Sequence, residues 1–247
     1  MKKYIIAISI VIFLAAVYYQ NRPMAISRQS ATYYTGGSVT STSFTHSAFN
    51  PGYGGTEKSR MVVIPLYAFP NSGVLAIVSS VTYGGVPMQV TTGYTIGNFA
   101  SMHIWYIINP PTGAQDIVFT TINSTNWSMQ YAVLAYESDT DTGLRIGNID
   151  RSEVSSGTSL STLFNTTASK AWMVGLTSSP IQNQTLTTGT FLVGDANPGK
   201  FEVVDSNAEI TAGSSTGVAV TVGSATTIRQ AVITIIPIRR GIFWFLD

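Results

Sequence analysis

The chain has no cysteine. That excludes disulfides and thiolate metal sites, so any fold delivered outside a cell must be held by packing and hydrogen bonds alone. Charge is scarce too: 10% of residues are Asp, Glu, Lys or Arg, where about a quarter is usual. The surface must therefore be built from Thr, Ser, Asn, Gln and Gly, as is common in extracellular and virion β-proteins. The few charges nearly cancel, with a net of +1, and no basic run occurs away from the two ends. A nucleic-acid partner is not expected.

Catalytic equipment is equally thin. Only His46 and His103 are present, both in expected strands and far apart in the sequence, which leaves a histidine metal site without its usual donor set. No Gly-x-Ser-x-Gly elbow occurs to raise a nucleophilic serine. No glycine-rich phosphate loop precedes a helix, and no sustained 3.6-residue apolar period occurs after residue 20. The expectation is a protein that is not an enzyme, with no catalytic residues, no cofactor and no metal.

What the chain does have is a greasy start. Residues 4–19 form an apolar block behind Lys2 and Lys3. The block reads either as a signal peptide or as a retained anchor. The signal reading meets bulky or polar residues, Tyr18 to Arg22, where small ones belong at a cleavage site. The anchor reading meets a length limit, since about 16 residues of helix span roughly 24 Å of a core about 30 Å thick. Tyr18 and Tyr19 sit where an aromatic belt lies, which favours the anchor. Tyr4, Ile5, Ile8, Ile12 and Phe13 are its candidate lipid contacts. At the other end, Arg239 and Arg240 precede Phe243, Trp244 and Phe245, a pairing of rings and guanidinium groups that suits a bilayer interface or a neighbouring subunit. Domain termini often lie close together, so both segments are expected at one membrane-proximal end.

Between them, turn residues punctuate short runs rich in Val, Ile, Thr, Tyr and Phe. Strands are expected at 26–34, 39–46, 60–68, 78–83, 86–92, 101–108, 115–121, 128–138, 159–165, 171–178, 190–193, 201–210, 218–222 and 229–238. In 128–136, Met129, Tyr131, Val133 and Ala135 alternate with Ser128 and Gln130. Met61-Val62-Val63-Ile64 and residues 231–236 are apolar on both faces, as in a central strand or one with a partner on its outer side. Gly84-Gly85 carries the signature of a two-residue hairpin. Pro110 and Pro111 end one strand before another starts. Residues 50–60 read as a long surface loop. No internal repeat and no dividing linker is visible. The fold class expected is all-β: an N-terminal anchor or signal helix over 1–24, a single two-sheet sandwich over 25–238, and an aromatic tail over 239–247.

Several segments carry a resemblance. They are Ser80 to Met88 around the double glycine, Trp105-Tyr106 followed by Asn109-Pro110-Pro111-Thr112-Gly113, Thr166-Thr167-Ala168 with Ala171 to Gly175, and a closing strand ending Ile235-Ile236-Pro237. In this order they resemble a widespread jelly-roll-like β-sandwich domain of bacterial secreted proteins and phage structural proteins. The resemblance implies a fold and an extracellular or virion setting, and it transfers no catalytic residue.

The remaining candidates are binding groups. Asp139 and Asp141, after Glu137 and before Gly143, are the best oxygen donors for Ca²⁺, although the EF-hand glutamate is missing. Tyr53, Tyr94 and Trp127 are candidate exposed aromatics for a sugar or a partner. Trp105 and Trp172 fall within strands and read as core. Asn123, Asn126, Asn165 and Asn183 match the glycosylation acceptor pattern. The leading expectation is a structural virion component, such as a capsid, vertex or spike protein of a phage with an internal membrane. Its partners are a lipid bilayer and itself or other envelope or capsid proteins, and its β-domain lies outside the membrane. The alternative is a cell-surface glycan-binding or adhesion module.

Overall fold

The computed structural model describes residues 10, 11, 14, 25–53, 58–71, 76–96, 100–122, 126–139, 142–166, 168, 170–179, 184–186, 191–192, 201–206, 208–213 and 215–239. Its strands are β1 (Ile26–Val39), β2 (Ser43–Phe49), β3 (Arg60–Pro70), β4 (Ile77–Tyr83), β5 (Val86–Pro87), β6 (Gln89–Ile96), β7 (Ala100–Ile108) and β8 (Gln115–Ile122). They continue with β9 (Trp127–Ser138), β10 (Thr142–Asn165), β11 (Trp172–Ser178), β12 (Thr185–Leu186), β13 (Phe191–Leu192), β14 (Phe201–Asp205) and β15 (Ser215–Arg239). All pairings among them are antiparallel.

Three hydrogen-bonded sheets result. The central sheet runs β1-β9-β3-β7-β6, the second β2-β8-β4-β5, and the third β10-β15-β11-β14-β13 with β12 beside β15. The expected single two-sheet sandwich is thus exceeded, and the apolar runs explain why. A sheet in a two-layer sandwich buries one face only, whereas β3 is apolar on both. Val62, Ile64, Leu66 and Ala68 pack with Val81, Ile117 and Phe119 of the second sheet. Met61 and Val63 face the other way, onto Trp172, Val174, Ile233 and Ile235 of the third. The strand β9 divides likewise, with Met129, Tyr131 and Val133 on one side and Ala132, Leu134 and Tyr136 on the other.

The third sheet is covered on its far side by its own strands. A straight strand rising about 3.3 Å per residue would hold Val218 and Val232 roughly 46 Å apart. Yet a methyl group placed on Gly175 would lie 2.8 Å from Val218 Cγ2 and 3.5 Å from Val232 Cγ2. The β10–β15 ribbon must therefore fold back on itself. The bend falls at the register shifts between Val154 and Ser159. Beyond it, Val218, Val220 and Val222 close over Met173, Ile228, Val232 and Ile236 as a further apolar layer. Inside that layer Thr162 Oγ1 donates to Gln230 Oε1 at 2.7 Å, which satisfies two buried polar groups.

Counting each long strand as two, and β5 with β6 as one interrupted strand, gives eight strands in each half. In both halves the inner sheet is then ordered first, eighth, third, sixth, fifth, and the second, seventh and fourth pair in the outer layer. Residues 26–138 and 142–239 share one topology although no repeat is visible in the sequence. The two inner sheets face each other across a common core.

Among the described residues no helix is long and apolar enough to cross a membrane. Ile10, Val11 and Leu14 are helical and exposed. The proposed lipid contacts Tyr4, Ile5, Ile8, Ile12, Phe13, Tyr18, Tyr19, Phe243, Trp244 and Phe245 lie outside the described residues.

Candidate functional site

Two polar constructions organise the molecule. The first sits in the seam between the two inner sheets, where β1, β9, β11 and β14 converge. Asp205, at the end of β14, has a side chain 0% exposed and lies 3.0 Å from Arg28 Nη1 on β1. Tyr136 of β9 donates its hydroxyl to the other carboxylate oxygen. Trp172 of β11 stacks edge-on to Tyr136 at 5.6 Å, lies beneath the Arg28 guanidinium at 5.9 Å, and donates Nε1–H to Ile26 O at 3.0 Å. Burial, reinforced by Asp205, pushes the Tyr136 hydroxyl well above its ordinary value. A phenol held that firmly protonated is a donor and not a nucleophile. Both carboxylate oxygens of Asp205 are engaged, so the cluster ties the halves together and has no reactive group to offer.

The second construction closes one end of the fold. Ala25 N donates to Asp139 Oδ2 at 2.9 Å, and Asp139 N donates to Ala25 O at 3.1 Å. Asp139 therefore clasps the start of β1, using one of the oxygens a Ca²⁺ site would need. Asp141 lies outside the described residues, and among the described residues no group of three His, Cys, Asp or Glu is placed to hold a metal. Nearby, Lys58 Nζ reaches Glu137 Oε1 at 3.0 Å. Three residues beyond Asp139, Thr142 pairs with Arg239, the last residue of β15. Hydrogen-bonded neighbours and three residues of chain place Ala25 within about 20 Å of Arg239. Both ends of the described fold thus leave from the same side.

The three aromatics singled out in the sequence are not brought together. Trp127 is 0% exposed and donates Nε1–H to Ser41 O at 2.8 Å, so its expected exposure is corrected. The alternation of Met129, Tyr131 and Val133, extended one step back, reaches Trp127 and assigns it to the core face. Tyr53 is half-buried, donates to Met61 O at 3.1 Å and lies under the Arg60 guanidinium at 5.4 Å. Burial raises its hydroxyl. Tyr94 is half-buried too, with Arg151 of β10 5.6 Å from its ring; Arg151 also donates to Gly93 O at 3.3 Å. Both tyrosine rings are already engaged by an arginine. Trp105 and Trp172 are core, as their strand positions suggested.

The histidines stand apart. His46 Nδ1 is 3.0 Å from Tyr131 Oη, with Tyr34 edge-on to its ring at 4.2 Å. His103 packs edge-on to Trp105 at 6.4 Å. Burial lowers the pKa of both. Two open clefts of about 440 Å³ each flank the Gly84-Gly85 turn, one bordered by Gln89, Tyr106 and Asn109, the other by Gln115 and Asp116. Neither contains a histidine or a pair of carboxylates.

The arginine–aspartate seam and the Asp139 clasp were not legible as sites in the sequence. Arg28 and Asp205 belong to different halves, and only the closed fold brings them together. No family model matches the chain, and no curated protein matches it. Among solved structures, a chain of the 3.5 Å cryo-EM structure of the Sputnik virophage aligns over 85% of this chain and 84% of its own, with 11% identity and a TM-score of 0.15. Likeness at that level fixes neither fold nor function.

Proposed function

We propose that this is a non-enzymatic structural protein of a virion or envelope, tethered to lipid through its ends, in which each half is a jelly roll. The shared strand order of the halves supports the jelly-roll reading; double-sheet jelly rolls serve viral capsids among other uses. Fold alone assigns no task, so the reading rests on one observation. The Asp139 clasp and the Thr142–Arg239 pair bring Ala25 and Arg239, the residues from which the two apolar terminal segments continue in the sequence, to the same end of the described fold. The first segment carries Lys2 and Lys3, Arg239 and Arg240 stand at the start of the other, and each segment carries aromatic residues. Two short anchors on one side hold a body against a bilayer better than either alone, because a second attachment acts at high effective concentration. The sparsely charged surface suits close lateral packing with copies of the chain or with other shell proteins.

The test is flotation of the full chain with lipid vesicles, beside variants lacking residues 1–24, residues 240–247, or both. Flotation of the full chain, weakened by either deletion and abolished by both, is the expected result. A full chain that stays in the aqueous fraction overturns the reading.

A further inference from the structure

The edges of the sheets are guarded unequally. β1 carries a bulge between Arg28 and Ser30, β2 one between His46 and Phe49, and β6 one between Val90 and Gly93. β5 and β13 are two residues long, and β5 ends in Pro87. Bulges, prolines and short length are the usual devices against pairing with another chain. The near part of β10 has its own, with Arg145, Asp150, Arg151 and Glu153 and a register shift between Ile146 and Ile149.

The far part of β10 has none of these. From Ser159 to Asn165 it pairs with Thr221 to Ser215 in unbroken register. It contains no charge, proline or glycine. Among the described residues, no strand pairs with its other side. Ser159, Ser161, Leu163 and Asn165 are exposed on one face, Leu163 at 54%. Thr162 points inward and is held by Gln230.

We infer that this edge pairs with the same edge of a second copy of the chain, antiparallel and centred on Thr162. In that register Leu160 meets residue 164 of the other copy, Ser159 meets Asn165, and Ser161 meets Leu163. Positions facing inward stay inward and exposed positions stay outward, so the two outer layers become one continuous sheet. The two-fold axis brings no like charges together, because the run has none. It also covers both Leu163 side chains with backbone and neighbours from the partner. A self-complementary edge closes as a dimer and does not propagate. The pairing rests on the assembly part of the proposed function and is independent of its lipid part.

The absence of native cysteine makes the register directly readable. Paired residues across antiparallel strands have Cα atoms about 4.5 to 5.5 Å apart, within disulfide reach, whereas diagonal positions lie at about 7 to 8 Å. Full-length S161C and L163C proteins in detergent, mixed and oxidised, are expected to form a disulfide dimer that neither forms efficiently alone. L163K is expected to convert the dimer to monomer in analytical ultracentrifugation while keeping the parent circular dichroism spectrum and a single cooperative melting transition. A wild-type chain that is monomeric throughout, or mixed cysteines that cross-link no better than each alone, overturns the pairing. Pairing with an unrelated protein and not with itself also overturns it. Flotation of L163K with vesicles, unchanged from wild type, separates failure here from failure of the lipid reading.

Discussion

Val218 and Val232 belong to one strand and are separated by thirteen residues of it, yet both touch the space above Gly175. That contact defines the bend of the β10–β15 ribbon and turns one sheet into two layers. It also leaves no room for a side chain at position 175 of the central strand β11.

Gly175→Ala should therefore destabilise the protein. Its methyl would sit 2.8 Å from Val218 Cγ2, and overpacking of this kind costs about 1 to 3 kcal/mol. At roughly 2 to 4 °C per kcal/mol for a chain this size, calorimetry should show a clear fall in Tm. The double variant Gly175→Ala/Val218→Ala should recover part of it. If the two single losses simply add, the contact is not the cause.

The seam makes an asymmetric prediction. Arg28 is 22% exposed and Asp205 is 0%, so an abandoned Arg28 can reach water and an abandoned Asp205 cannot. Arg28→Leu should cost more than Asp205→Leu, with the former near the 3 to 5 kcal/mol expected when a buried charge loses its partner. The double leucine variant should be more stable than Arg28→Leu alone. Urea denaturation of the three variants checks the order.

For the aromatics, burial predicts stability effects in place of binding effects. Trp127→Ala should lose about 3 to 5 kcal/mol, in keeping with large core truncations. Trp127→Phe keeps most of the ring and loses the bond to Ser41 O, at a cost of about 1 kcal/mol. A folded, fully stable Trp127→Ala protein would contradict the placement.

The histidines set an acid limb. Burial holds His46 and His103 below their ordinary value of 6.5 when folded. The unfolded chain therefore takes up protons first as pH falls, and the stability these groups contribute is present above about 6.5 and lost below it. The urea midpoint should fall between pH 7 and pH 5, and His46→Asn should flatten that fall. An unchanged slope in the variant would remove His46 from the account.

Much of the fold was legible because burial leaves a local trace. The alternation in β9, the two-faced runs of β3 and β15 and the Gly84-Gly85 turn, with φ of 56° and 78°, all appear where the sequence places them. The near half of β10 lies outside every strand expected, because Arg145, Asp150, Arg151 and Glu153 interrupt the apolar pattern; an edge strand tolerates such charges on its open side. The runs expected at 218–222 and 229–238 proved to be one strand, since Gly223, Ser224 and Ala225 are exposed at the bend and look like a turn. The doubled topology had no sequence signal, because it resides in which strands pair and not in which residues recur.

The position of β15 has a consequence for synthesis. In each half the first strand pairs with the last, so β1 waits for β9 and β10 waits for β15. The amino-terminal half is complete when Ser138 leaves the ribosome, but its face of Met61, Val63, Ile104 and Leu134 then has no cover. That face stays bare until the final strand emerges and the second half can close. A nascent chain stalled or truncated before Ser215 should therefore aggregate through this surface, and a chaperone would be needed most during that interval.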